Sequence, residues 1–264
     1  MSTLSQPASQ SAAESLSSGK PPLGEFLKHN PFPNPRTLGF FYREKMRAIH
    51  GIAPDTPFAK ILEVGGGQGG LTALLYPQSQ IVNLDFDPQF ANAACNQQPN
   101  VTFVCGDATQ LPFEDASFDA VTMFDVLEHI PHDQGAIAEA FRVLKPGGVL
   151  LISTPDRATW RFPHYNLFKP ICPPESAVMA EWGHVRRGYT LEDLKTLMPV
   201  ACEQYATFIN AITVIGHDVA FSNLPYRLRL LLAVILSPVI WLAYWFHRPT
   251  GWGTETASRW QKGE

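Results

Sequence analysis

Charge is what this sequence has least of. Asp, Glu, Lys and Arg make up 17% of its 264 residues, against roughly 25% in an average soluble domain. The formal net charge is −4 and the pI about 6.1. That balance argues against a broad basic surface, so no nucleic-acid partner is expected. Cysteine is scarce as well. Cys95, Cys105, Cys172 and Cys202 form no CxxC pair, which argues against a disulfide scaffold and a zinc ribbon. Residues 1–20 contain no apolar run and the first 35 contain no Arg. Neither a secretory signal nor a transit peptide is expected, and the cytoplasm is the expected compartment.

What is present divides the chain. Residues 1–35 read as a disordered Ser/Ala/Gln-rich tail followed by a proline-rich lead-in. Residues 36–222 read as one domain that begins with a helix over Thr37–His50. From Lys60, short apolar runs alternate with helical segments: KILEV (60–64), IVNL (81–84), VTFVC (101–105), FDAVTMF (118–124) and VLLIS (149–153). Repeated strand-then-helix units predict an α/β fold, Rossmann-like and doubly wound, with helices on both faces of a parallel sheet. Residues 157–188, rich in proline and aromatics, read as a lid inserted after the fifth strand. Trp160, Phe162, Tyr165 and Phe168 there are candidates for packing or for an apolar substrate wall. TLEDLKTL (190–197) predicts a helix capped by Thr190. Residues 202–209 and 211–216 are expected to close the sheet as an antiparallel pair, and 249–264 reads as a tail.

The chemistry concentrates after the strands. GGGQGG (65–70) follows the first strand and opens a helix. Gly65, Gly67 and Gly70 permit a tight turn and a close approach to a ligand at the helix N-terminus. No Lys-Ser/Thr follows, so it is not a phosphate-cradling P-loop. Asp85 ends the second strand, 20 residues after Gly65, where a carboxylate can accept both ribose hydroxyls. Glu63 precedes the loop and would repel a pyrophosphate while attracting a cation. Asp107 ends the third strand, suitably placed to accept from an adenine amine.

In that order, EVGGGQGG, LDFDP, GDATQLPFEDASFDAV, DVLEH and RVLKPGGVLLISTPD resemble the motifs of class I S-adenosylmethionine-dependent methyltransferases, most of all those acting on small molecules, quinones and lipids. The resemblance spans the cofactor core, residues 58–156, and more loosely 182–216. It implies a seven-stranded sheet with an antiparallel last strand and S-adenosyl-L-methionine as cofactor. Glu63, Gly65 and Gly67 would hold its methionine part, Asp85 its ribose, and Phe86 would pack on the adenine. Asp107 and Ala108 would face the adenine amine, and Phe124 the methionine end. His129 and His184 are candidate bases, needed only if the nucleophile must lose a proton. The cluster Asp125, Glu128, His129, His132 and Asp133 reads as a helix cap, and no metal is expected. His184, Arg186, Arg187 and Tyr189 are either substrate contacts or surface loop. Competing readings are an NAD-type oxidoreductase using the same loop and a membrane-tethered, non-catalytic binding protein.

Leu230–Phe246 runs 17 residues without a charge, within a segment (223–248) flanked by Arg227, Arg229, His247 and Arg248. Trp241, Tyr244 and Trp245 crowd one end. Aromatics beside cations suit a membrane interface, so 228–246 is expected to contact a membrane, peripherally or integrally; the competing readings are a buried helix or oligomer contact and an apolar substrate channel over the active site. The acceptor is then expected to be small and apolar.

Overall fold

The computed structural model describes residues 19–31 and 39–264. The N-terminal tail expected over 1–18, and 32–38 of the lead-in and first helix, lie outside the described residues. One helical turn, α1 (Leu23–Phe26), precedes α2 (Gly39–Ile52). The sheet then builds from β1 (Lys60–Val64), β2 (Gln80–Asp85), β3 (Val101–Cys105), β4 (Phe118–Phe124), β5 (Leu144–Pro155), β6 (Cys202–Phe208) and β7 (Glu255–Gln261). Between them lie α3 (Leu71–Leu75), α4 (Asp133–Val143), α5 (Glu175–Trp182), α6 (Leu191–Leu197), α7 (Thr213–Ala220) and α8 (Tyr226–Trp245).

The spatial order is β3-β2-β1-β4-β5-β7-β6. Strands β1 to β5 pair in parallel, and β7 runs antiparallel between β5 and β6. Both faces of the central strands are covered. Ile61, Ala120 and Leu151 belong to the core under α2, while Leu62, Val121 and Leu150 belong to the core under α4. A strand buried on both faces needs apolar residues at successive positions, which is why the central strands read as unbroken runs. The order reverses direction at β1, between β2 and β4. A crevice therefore opens outside the carboxyl ends of these strands, the place where open α/β sheets bind ligands.

Three expectations need correction. Residues 211–216 are not a strand: β6 has no hairpin partner there, and 213–220 form α7. Val214 packs into the core from a helix that starts where the Asn210 side chain accepts the Ile212 and Thr213 N–H groups. The partner of β6 is β7, inside the expected tail, so the domain closes beyond residue 222. Each pairing places a small residue of β7 opposite its neighbours, as in Ala206 with Ala257 and Ser153 with Ala257. Finally, the helical segment expected between the runs 81–84 and 101–105 is two short 3-10 turns, Pro88–Asn92 and Ala94–Gln97, and not an α-helix.

The insertion carries its own small core of Trp160, Phe162, Cys172 and Val178. His164 Nδ1 lies 2.7 Å from the buried Asp218 carboxylate of α7, which also accepts the His164 and Tyr165 backbone N–H groups. Arg187 pairs with Glu175 at 2.5 Å. The α6 cap is the expected one: the Thr190 hydroxyl accepts the Asp193 N–H, and Asp193 Oδ2 accepts the Thr190 N–H. Such a cap contributes about 1 kcal/mol.

Candidate active site

The loop after β1 is built by backbone geometry that only glycine takes cheaply. Gly65 and Gly67 have φ of 69° and 50°. A Cβ on Gly65 would lie 2.1 Å from Val126 Cγ2, and one on Gly66 would lie 2.4 Å from Asn83 Oδ1. The Asp85 carboxylate pins the loop to β2: Oδ2 accepts the Gly67 N–H at 3.0 Å and Oδ1 the Asp87 N–H at 3.0 Å.

Loop and strand ends border a cleft of about 830 Å³. Gly65, Gly67, Asp85, Phe86, Asp107 and Ala108 all line it, as does His129. Phe86 is 81% exposed at the mouth, free to cover a flat ligand. Asp107 Oδ1 accepts both the N–H and the hydroxyl of Thr109 at 2.8 Å, bonds that hold its carboxyl below the usual range. Glu63 and Phe124 stand apart from the wall. Glu63 is buried beneath the loop, accepting the Thr72 N–H at 3.3 Å, and burial raises its carboxyl. Phe124 is buried in the core under α2. The cleft has the size of a cofactor site and offers a carboxylate at two of its strand ends and a glycine turn that lets a ligand approach the backbone at the third. These residues fit a nucleoside-bearing cofactor.

Just past Phe124, Asp125 adopts φ of 50°. Ser153 donates to its Oδ1 at 2.5 Å and Lys45 of α2 to its Oδ2 at 2.5 Å. Burial opposes ionisation of Asp125, but Lys45 prevails and its carboxyl stays below the usual range. Asp125 also borders a second cavity of about 270 Å³, walled by Phe41, Tyr42, Lys45, His217, Phe221 and Glu255 among others. One side chain thus stands in the walls of both spaces. Neither Lys45 nor Glu255 carried a sequence signal. Lys45 is one charge in an ordinary amphipathic helix, and its partner is 80 residues away. Glu255 sits in the segment read as a tail.

The two histidine candidates come together, with ring centroids 4.7 Å apart. His129 Nδ1 is 3.1 Å from the Gly183 carbonyl, tying the post-β4 turn to the insertion. Burial, then His129, pushes His184 down to about 4, so its ring is neutral at pH 7. Arg186 donates to the Leu127, Ile130 and Pro131 carbonyls, and Tyr189 to Asp133. Both residues brace the turn after β4.

Glu128 in that turn is fully buried. Burial, then the charge of Asp125, pushes its carboxyl up to about 8. The folded state holds this proton where the unfolded state, with a carboxyl near 4.5, has released it. Stability contributed by protonated Glu128 is therefore full below about pH 4.5 and lost as pH rises toward 8. Glu128→Gln keeps a neutral side chain at every pH. Its melting temperature is expected to fall less than the wild type's between pH 5 and 8. An unchanged gap in thermal scans would refute the buried proton.

Comparison with known proteins agrees with this geometry. Residues 62–152 match a family model described as a methyltransferase domain. A probable S-adenosylmethionine-dependent methyltransferase of Mycolicibacterium smegmatis is 33% identical over 122 residues, 46% of this chain and 48% of that protein. A demethylmenaquinone methyltransferase of Renibacterium salmoninarum is 37% identical over 42% of this chain and 47% of its own length. The chain thus spans about half the length of the curated relatives it matches. The solved structure of N-methyltransferase NodS from Bradyrhizobium japonicum, in complex with S-adenosyl-L-homocysteine, shares the fold. It superposes with a TM-score of 0.53 at 15% identity, over 91% of this chain and 96% of its own.

Proposed function

From its place among the class I S-adenosylmethionine-dependent methyltransferases, we propose that this chain methylates a small, apolar, quinone- or lipid-like acceptor at a membrane surface. The observation that carries the cofactor half is the cleft at the sheet's reversal point, where the Gly65–Gly67 loop, Asp85 and Asp107 meet. S-adenosyl-L-methionine supplies an activated methyl group on a sulfonium; the protein's task is to hold and align. Asp85 accepts the ribose hydroxyls, Phe86 covers the adenine, and Asp107 with Ala108 meets its amine. Glu63, under the loop, biases the methionine end toward positive charge, and Phe124 backs it from the core. His129 and the neutral His184 close the insertion over the cleft and exclude water.

Helix α8 supports the acceptor half. It has 20 residues, of which only Ile240 and Tyr244 are buried, and at 1.5 Å per residue it extends about 30 Å. Leu231, Val234, Ile235, Val239 and Leu242 are exposed, a continuous apolar surface of a size that soluble monomers rarely leave bare. Its C-terminal half is packed on α2, with Tyr244 against Phe40 and under the Arg47 guanidinium. The helix is thus fixed along the domain's flank, suited to lie in the headgroup region of a bilayer with Trp245 and Phe246 at its rim. The protein is expected to float with phosphatidylcholine/phosphatidylglycerol vesicles in a density gradient, and the triple variant Leu231→Glu, Ile235→Glu, Leu242→Glu to stay at the bottom. Equal distribution of the two would remove the membrane from the account.

A further inference from the structure

We propose that Glu255 is the catalytic acid–base group for the methyl acceptor, and that the cavity it borders is the site of the acceptor's headgroup, a single ring bearing a hydroxyl. This rests on the methyltransferase reading above. Three observations carry it. The cavity shares Asp125 with the cofactor cleft, so a ligand in it lies against the one side chain that also faces the cofactor. The Glu255 side chain lines the cavity and, among the described residues, makes no hydrogen bond. Glu255 is half-buried at the cavity wall, so its carboxyl is open to a partner that arrives with the ligand. The cavity's remaining groups suit one ligand chemistry. Phe41, Phe208, Ile209 and Phe221 supply an apolar wall, Lys45 a cation, and His217 an imidazole.

The volume of about 270 Å³ admits one substituted ring and no more, so a long apolar tail must leave the cavity. The exposed apolar face of α8 lies on the far side of α7, so the tail runs past α7 to reach it. Helix α7 forms the partition, and at Gly216 the packing is so close that a Cβ would lie 2.8 Å from Ile240 Cδ1 of α8 and 3.5 Å from Phe41 Cζ. A headgroup in the cavity and a tail along α8 place the acceptor half in protein and half in lipid.

In the reaction the acceptor's hydroxyl proton passes to the Glu255 carboxylate as the new oxygen–carbon bond forms. The donor's sulfur–carbon bond breaks with its electron pair staying on sulfur, which becomes a neutral thioether. One positive charge on the donor and one negative charge on Glu255 vanish together, so the balance closes without a further reagent. For a ring methylated at carbon, the same proton transfer generates the ring anion that attacks; the methylated carbon then loses its proton to solvent and Glu255 returns the hydroxyl proton to the ring oxygen. The groups facing Glu255 are Asp125 and Glu128 after β4, Asp156 after β5, Lys45 and Tyr42 on α2 and His217 on α7. Burial and then the charges of Asp125 and Glu128 raise its carboxyl well above the ordinary range, against Lys45. A base must be ionised to act, so turnover rises with pH through that raised range. His217, pushed down to about 3 by burial and then His164, stays neutral and offers one ring nitrogen as donor and one as acceptor, but no charge.

The test uses the full chain, with Glu255→Gln and Glu255→Asp. Infrared difference spectra read the carbonyl stretch of a protonated carboxyl at neutral pH. Label transfer from methyl-labelled S-adenosylmethionine into an organic extract of host membranes reads activity, and calorimetry reads cofactor affinity. Expected are a carboxyl band that Glu255→Gln loses, cofactor affinity within about twofold of wild type, and label transfer down by 100-fold or more with its rise with pH abolished. Glu255→Asp recovers part of the rate. Wild-type rate and pH profile in Glu255→Gln, or a carboxyl band unchanged by it, would overturn the assignment. Failure of the methyltransferase reading itself appears differently, as a wild type that binds no cofactor and transfers no label while the band still reports on Glu255.

Discussion

Gly65→Val is expected to abolish measurable binding of S-adenosylmethionine. Two costs combine at this position. With φ at 69°, a β-branched residue is forced into a region that costs it roughly 1–2 kcal/mol. The added Cβ would also stand 2.1 Å from Val126 Cγ2, so either the loop or the strand end carrying Asp125 must move. The glycine turn then no longer holds its place in the cleft wall, and a shift of about 1 Å in a binding constellation is enough to lose a hundredfold. Gly147→Ala separates strain from site. Gly147 has a similar φ of 73°, but its added Cβ meets nothing within 4 Å and its turn is remote from the cleft. That variant is expected to lose stability by about 1 kcal/mol and keep its cofactor affinity. Full binding by Gly65→Val would mean that the loop is not the cofactor's seat.

Asp85→Ala is expected to weaken cofactor binding by about 100- to 1,000-fold, or roughly 3–4 kcal/mol. The carboxylate has two jobs. It accepts the Gly67 and Asp87 N–H groups at 3.0 Å each, which fixes the loop's shape, and its remaining lone pairs face the cleft, where ribose hydroxyls would donate. Hydrogen bonds to a charged group contribute about 1.5–3 kcal/mol each, more than neutral ones. Asp85→Asn keeps the size and one acceptor oxygen, so it should retain the loop and lose about tenfold. Calorimetric affinities for the three proteins, beside their melting temperatures, check the ordering. Equal loss in the Asn and Ala variants would assign the whole effect to the carboxylate's charge and second oxygen at the ribose, and none to the loop bond that Asn keeps.

The central sheet was legible in the sequence because of where it lies. β1, β3 and β4 begin and end at the expected residues: β1 and β4 because strands buried on both faces are mostly apolar, and the half-exposed edge strand β3 because its β-branched and aromatic residues suit a strand. β7 was not legible. ETASRWQ offers only small and polar residues plus one tryptophan, and its Thr256 and Ser258 are buried by neighbours far along the chain. AITVIG misled in the opposite direction, because β-branched residues fit a helix when tertiary packing covers them. The cleft followed the same division. Gly65, Gly67, Asp85 and Asp107 act through turns next to their own strands, so local order revealed them. Lys45, Asp125 and Glu255 meet only after α2, β4 and β7 assemble, and no spacing along the chain encodes that meeting. The uncharged run also resolved into a helix, Tyr226–Trp245, packed on α2 and α7 along one side and carrying exposed apolar residues on the other.

Titration calorimetry of the purified chain with S-adenosylmethionine, S-adenosyl-L-homocysteine and NADH tests the central claim most directly. The account predicts saturable one-to-one binding of both adenosyl ligands in the micromolar range common for such sites, abolished by Gly65→Val, and no heat with NADH. A folded protein that binds NADH, or binds neither adenosyl ligand, would contradict it.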